Sequence, residues 1–341
     1  MERNGVRLVF SCLGLLAAGV AAADSGPSNG NENGDKPTVI VAVGAAGEEE
    51  FGKDFEKWVR LWEKAGEQGG AKMVALGLGE TNATSDVERL KQILSDEPKD
   101  APGELWLVLI GHGTFDGKEP KFNLRGPDLS AAELGEWLKP FRRRTAVINS
   151  ASSSGPFINK LSASGRVVVT ATRSGYEQNY ARFSQYISEA IGDAKADLDK
   201  DGQVSLLEAF LTASRRVAEF YEAEGRLATE HALLDDNGDG LGTPADWFRG
   251  IRAVKKASDG ASLDGLRAHQ LHLVRSEQEQ KLPPAVRVRR DELELAISKL
   301  RESKGRTPES QYYEQLERML VDLAKLYEQG ANPPVAERDP P

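Results

Sequence analysis

Two stretches hold side chains whose types and spacing could do chemistry. The first is Glu104 to Gly113, ELWLVLIGHG, in which a histidine follows an apolar run and lies between Gly111 and Gly113. An imidazole titrates near neutral pH, so it can act as a general base, a general acid or a metal ligand. The flanking glycines permit a sharp turn and a close backbone approach. The plainer alternative is a histidine on an ordinary turn. The second stretch is Asp197 to Glu208, DLDKDGQVSLLE. Its carboxylates alternate at Asp197, Asp199 and Asp201, followed by Gly202, the Gln203 carbonyl and finally Glu208. Alternate carboxylates can converge on one hard cation, Gly202 allows the chain to turn, and Glu208 can chelate with both oxygens.

Counted from Asp197, the second stretch fills every ligand position of an EF-hand loop and resembles one, with Ser205 at position 9. The expected ion is Ca2+. Val204 should pack the loop, and Ala209 stands where a larger apolar residue is usual. Asp235 to Asp246, DDNGDGLGTPAD, resembles a degenerate copy. Asp235, Asn237, Asp239 and Gly240 repeat positions 1, 3, 5 and 6, and Asp246 falls at position 12. Gly242 replaces the apolar residue, and Pro244 sits where an exit helix would begin. The spacing of the two loops is close to that of paired EF-hands, so a pair is one arrangement open to them.

The elements that must position these groups can be read from periodicity. Leu105 to Ile110 is a continuous apolar run, which predicts a strand buried on both faces. The end of such a strand in an open α/β sheet is where ligands bind. Thr38 to Val43, Lys72 to Leu76, Thr145 to Asn149 and Arg166 to Ala171 read as further strands. Between them lie helices. One runs from about Glu49 to Ala65 with Phe55, Trp58, Val59 and Trp62 facing the sheet; two others open at capping boxes, Ser85 to Glu88 and Ser130 to Glu133. GAAG after the first strand is too short for a dinucleotide fingerprint. The fold class expected is α/β, a parallel-type sheet with helices on both faces. Past residue 192 the strands are expected to stop, with helices at Phe183 to Ile191 and Leu206 to Tyr221 around the first acidic loop. Two C-terminal helices should form an antiparallel hairpin, the second carrying a stripe of Tyr313, Leu316, Leu320, Leu323 and Tyr327.

The order strand, His-Gly, helix, strand, small-residue turn resembles the caspase-like cysteine peptidases, the group of caspases, gingipains and legumains. The blocks that carry the resemblance are LVLIGHG and AVINSASSSG, about forty residues apart, and it covers roughly residues 37 to 192. It implies that the histidine of a catalytic dyad is His112 and that the nucleophilic cysteine belongs at the turn after the next strand. This chain has serine there. Anchoring on Ser154 and Gly155 selects Ser152; anchoring on the strand end selects Ser150. A thiol with a pKa near 8.5 offers some thiolate at neutral pH, whereas a serine hydroxyl needs a well-oriented base, in serine triads one held by a buried carboxylate. No such carboxylate can be pointed to in sequence. The resemblance also implies a substrate-binding loop after the fifth strand, with Arg173, Ser174 and Glu177 as contacts. Three readings follow: a non-catalytic homologue that binds a peptide or protein partner, a serine-dependent hydrolase using His112 and Ser152, and a calcium-stabilised structural module.

The chain of 341 residues is 39% hydrophobic and 28% charged, as expected of a globular protein, and its net charge of −9 argues against a nucleic-acid partner. Arg3 and Arg7 precede an apolar run from Leu8 to Ala23 that ends in small residues, the pattern of a secretory signal peptide. The expectation is export to a periplasmic or extracellular location, with no membrane attachment after cleavage. Cleavage would also remove Cys12, the single cysteine. The expected organisation is 1–23 signal peptide, 24–36 linker, 37–192 caspase-like α/β domain, 193–250 helical segment with the acidic loops, 251–330 C-terminal helical region and 331–341 disordered tail. The C-terminal hairpin is a candidate for association.

Overall fold

The structure is a computed structural model; it describes residues 36–79 and 83–331. The signal-peptide, linker and tail expectations lie outside the described residues, apart from Lys36 and Ala331. Among the described residues no helix is long and apolar enough to cross a membrane.

The chain opens with β1 (Thr38–Val43), α1 (Glu49–Gln68), β2 (Lys72–Leu76), α2 (Asp86–Asp96) and β3 (Leu105–Ile110). Three short strands follow His112: β4 (Gly113–Phe115), β5 (Pro120–Phe122) and β6 (Leu129–Ser130). They form a small antiparallel sheet of their own, inserted between the His-Gly turn and the helix expected next. Then come α3 (Ala131–Leu138), β7 (Thr145–Asn149), α4 (Phe157–Leu161), β8 (Arg166–Thr170), α5 (Phe183–Ala190) and α6 (Leu206–Ala223). Four strands beyond α6 correct the expectation that strands end at 192: β9 (Leu233–Asp235) and β10 (Thr243–Pro244), which join the main sheet, and the separate two-stranded pair Phe248–Arg249 with Arg252–Ala253. The C-terminal region holds α7 (Leu266–His269), α8 (Glu277–Lys281), α9 (Pro284–Glu302) and α10 (Glu309–Ala331).

The main sheet has the order β10-β9-β8-β7-β3-β1-β2. Its five central and near-edge strands from β2 to β8 are parallel, and β9 and β10 are antiparallel additions. Alternation along β3 explains why its sequence is apolar throughout. Trp106, Val108 and Ile110 enter one core with α1, α5 and α6, while Leu105, Leu107 and Leu109 enter the other with α2, α3 and α4. Trp62 of α1 is fully buried in the first core and donates its Nε1 hydrogen to Ser188 Oγ at 3.0 Å. Truncating such a side chain to alanine costs about 3–5 kcal/mol.

Both predicted capping boxes form, at Ser85 with Glu88 and at Ser130 with Glu133, and a third opens α6 at Ser205 with Glu208. In the C-terminal hairpin α10 is rotated from its expected register. Tyr312 is its buried ring, and Leu316, Met319, Leu323 and Leu326 are half-buried, while Tyr313, Leu320 and Tyr327 are exposed. Asp291 of α9 fixes the hairpin to the sheet domain through Arg144 at 2.6 Å.

Candidate functional site at the carboxyl edge of the sheet

The chain moves outward from β1 to β2 and then crosses to β3 on the other side, so the strand order reverses between β1 and β3. Crevices form at the carboxyl ends of strands at such a reversal. His112 follows β3 there, and its Nε2 lies 3.2 Å from the Ala46 carbonyl just beyond β1. A carbonyl only accepts, so Nε2 is the donor in that contact. Phe51 and Phe55 present edges to the imidazole at 5.2 and 5.4 Å, and Tyr180 lies 6.1 Å away.

β3 and β7 are parallel neighbours, with Leu109 opposite Asn149, so the turn after β7 reaches the same edge. Ser150 is fully buried; its hydroxyl donates to Leu109 O at 2.8 Å and accepts from Ser184 at 2.6 Å. Ser152 lies beside the His-Gly turn. Its Oγ is 3.2 Å from both Gly113 N and Gly113 O, accepting from the amide and donating to the carbonyl. No hydrogen bond joins it to His112. The approach requires glycine, because a Cβ at 113 would stand 2.3 Å from Ser152 O. Ser153 takes a left-handed φ of 54°, and its amide donates to Glu177 O at 2.9 Å. Its own hydroxyl is buried without a partner. Such a backbone costs a non-glycine residue about 1–3 kcal/mol, and it is held here by the buried turn around it.

The three expected substrate contacts divide. The Arg173 side chain is 62% exposed and only touches Glu177, at 3.2 Å. Ser174 Oγ accepts from the Tyr176 amide. Glu177 is committed internally: its carboxylate accepts from the amides of Arg173 and His231 and lies 2.6 Å from His231 Nδ1. His231 had no motif around it to mark it in the sequence.

The first acidic loop gathers three of its four carboxylates and leaves Asp201 outside the cluster. Oxygens of Asp197, Asp199 and Glu208 lie within 4.8 Å of one another, and this is the one such group of three among the described residues. The Lys200 and Gly202 amides donate to Asp197, and the Leu198 and Asp199 amides to Glu208 Oε1. Asp197 keeps a lone pair on each carboxylate oxygen for a cation, whereas each Glu208 oxygen already accepts two hydrogen bonds, those on Oε2 coming from the Ser205 amide and hydroxyl. Burial, then the Glu208 and Asp201 charges, pushes Asp199 above the usual carboxylate range. Asp201 accepts from the Gln203 amide and side chain, and Gln203 Oε1 accepts from Ser276 N. The donor set is hard, anionic oxygen around a tight turn, which suits Ca2+.

The second acidic loop is differently built. It closes a β9–β10 hairpin instead of joining two helices, so no exit helix carries Asp246 back. Asp235 accepts from the Gly238 and Gly240 amides, Asn237 donates to Asp239, and Asp246 is exposed in a 3-10 turn. The loops do not pair with each other: Ser205 bridges to His272. The groups missed in the sequence lie around them. Asp236, in the ligand-free second position, is buried with Asp264, whose Oδ1 accepts the Asp236 amide. Burial and the Asp236 charge hold the Asp264 carboxyl up at about 8. His269 Nε2 lies 3.5 Å from Asp199 Oδ2.

No protein-family model matches the chain, and no curated protein matches it. Among solved structures it is similar to the Drosophila initiator caspase Dronc, with TM-score 0.41 and 13% identity over 60% of this chain and 80% of that one. It is similar to caspase-1 from Spodoptera frugiperda at TM-score 0.39 and 10% identity, over 60% and 87%. Protein GSU0716 from Geobacter sulfurreducens matches at TM-score 0.36 and 12% identity, over 53% and 89%.

Proposed function

We propose that this is an exported, non-catalytic homologue of the caspase-like peptidases, which binds a peptide or protein partner at the carboxyl edge of its sheet and carries a structural Ca2+ in the Asp197 to Glu208 loop. The observation that carries the reading is the state of Ser152. A nucleophile must be free to attack and must have a base on its hydroxyl. The Ser152 hydroxyl instead occupies the amide and carbonyl of Gly113 and has no bond to His112. What is missing is the sulfur and the geometry of attack. The export part of the reading rests on the N-terminal sequence, and the calcium part on the ligand pattern and the clustered carboxylates.

The test is a peptidase assay on purified mature protein, with peptides cleavable after Asn, Asp, Arg or Lys. The wild type should not cleave. Cleavage gained by Ser152→Cys and removed by His112→Ala would mark a disarmed dyad. Wild-type cleavage that Ser152→Ala abolishes would instead establish a serine-dependent hydrolase.

A further inference from the structure

Beside the Ser152 turn lies an open cleft of about 680 Å3, within the size range of ligand pockets. It runs from Gly155 between the loop after β8, the small β4–β5 sheet and the β9–β10 hairpin. Its charged lining is of one sign: Lys118, Lys160 and Arg173, with no aspartate or glutamate. That is unexpected in a chain of net charge −9. Lys118 and Lys160 are exposed, and Arg173 has Glu177 as its carboxylate neighbour. Three aromatic rings stand among these cations. Tyr176 is 73% exposed and packs in a T-shaped pair with Phe115 at 5.4 Å, and Lys255 Nζ, outside the cleft lining, lies 5.7 Å over the Trp247 ring.

We infer that this cleft binds an acidic, aromatic-containing peptide segment of a partner protein. The inference rests on the reading of the carboxyl edge as a peptide-binding surface and names the chemistry of the peptide. Lys118 and Lys160, which form no ion pair among the described residues, attract carboxylates, and exposed rings offer apolar area and stacking that a purely ionic patch lacks. A nucleic acid fits less well, because a few cations on an acidic protein cannot offset the repulsion of a long polyanion.

The probes are two fluorescein-labelled ten-residue peptides, one of Asp and Glu around a single Trp, the other with Lys and Arg replacing the acids. Fluorescence anisotropy is read with the full chain and with Lys118→Glu/Lys160→Glu, whose exposed positions leave the fold intact, as its melting curve checks. The acidic peptide should bind and the basic one should not, and the double variant should weaken binding at least about tenfold. Absent binding, equal binding of the two peptides or an unaffected double variant overturns the inference. Displacement of the peptide by an equally tight heparin oligosaccharide also overturns it, in favour of a general polyanion patch. The broader reading has a separate readout: a neutral peptide that protects the Gly113 and Ser153 amides from hydrogen exchange, equally in wild type and double variant, would keep a peptide-binding edge while removing this cleft from it.

Discussion

The Glu177 carboxylate joins two segments far apart in the chain, lying 2.6 Å from His231 Nδ1 while its other oxygen accepts the Arg173 amide at 2.9 Å. It thereby ties the loop after β8 to the segment that enters β9. Glu177→Ala removes every one of these bonds and leaves two amides without their acceptor. The expected loss is about 1–3 kcal/mol, the range for buried groups losing charged partners. Chemical denaturation measures it, and a double-mutant cycle with His231→Ala should be clearly non-additive. Additive effects would show that the pair is not coupled.

Gly113→Ala tests the closeness of the two turns. The new Cβ would meet a backbone oxygen, so one turn must move. We expect destabilisation of about 1–3 kcal/mol, as for other overpacked sites, and a shift of the Ser152 turn visible in amide chemical shifts. Wild-type stability in this variant would mean that the turns are further apart than described.

Millimolar Ca2+ should raise the melting temperature. An ion that binds only the native state stabilises it by about 2.7 kcal/mol at a hundredfold excess over Kd. Mg2+ should do less, because it prefers a tighter octahedral shell. Asp199→Asn is a better probe than Glu208→Gln, since Glu208 also caps α6. Asp199 holds its proton more readily than an ordinary aspartate, so acidification should weaken Ca2+ binding as that carboxyl protonates. Calorimetric titration at two pH values reads this directly; an unchanged affinity in Asp199→Asn would count against the site.

His272 gives a stability effect of definite sign. Burial, then the His269 charge, lowers its pKa to about 3, against about 6.5 when unfolded. Between these values the unfolded chain binds a proton that the folded chain refuses. The stabilisation is therefore complete above about pH 6.5 and is lost as pH falls toward 3, at up to about 1.4 kcal/mol per pH unit. Denaturation midpoints from pH 7 to 4 should fall less steeply in His272→Gln than in wild type. Parallel curves would exclude His272 as the source.

The central sheet was legible because strands buried on both faces leave unbroken apolar runs, and because Ser85 and Ser130 announce helix starts by a local hydrogen bond. The short β9 and β10 carry too few residues to show a period, and β10 contains a proline; their place depends on the β8 edge they complete. The register of α10 was misread because Tyr313, Leu320 and Tyr327 recur at the same spacing as the stripe that packs, and only the position of α9 decides between them. At the site, the residue types at 112 and 152 were readable. The direction of the Ser152 hydroxyl was not, since it is set by contact with Gly113 across two strands. The clustering of Asp197, Asp199 and Glu208 was legible because these carboxylates are local in sequence. The pairing of Glu177 with His231 was not legible, because His231 is remote in the chain.

The outermost strand beside β9 is two residues long and ends in Pro244, which has no amide hydrogen to offer. A neighbouring chain seeking to continue the sheet would find almost no ladder to pair with. Two copies of this protein therefore cannot merge their sheets into one across that margin; the opposite margin, formed by the five residues of β2, is the one that keeps a ladder.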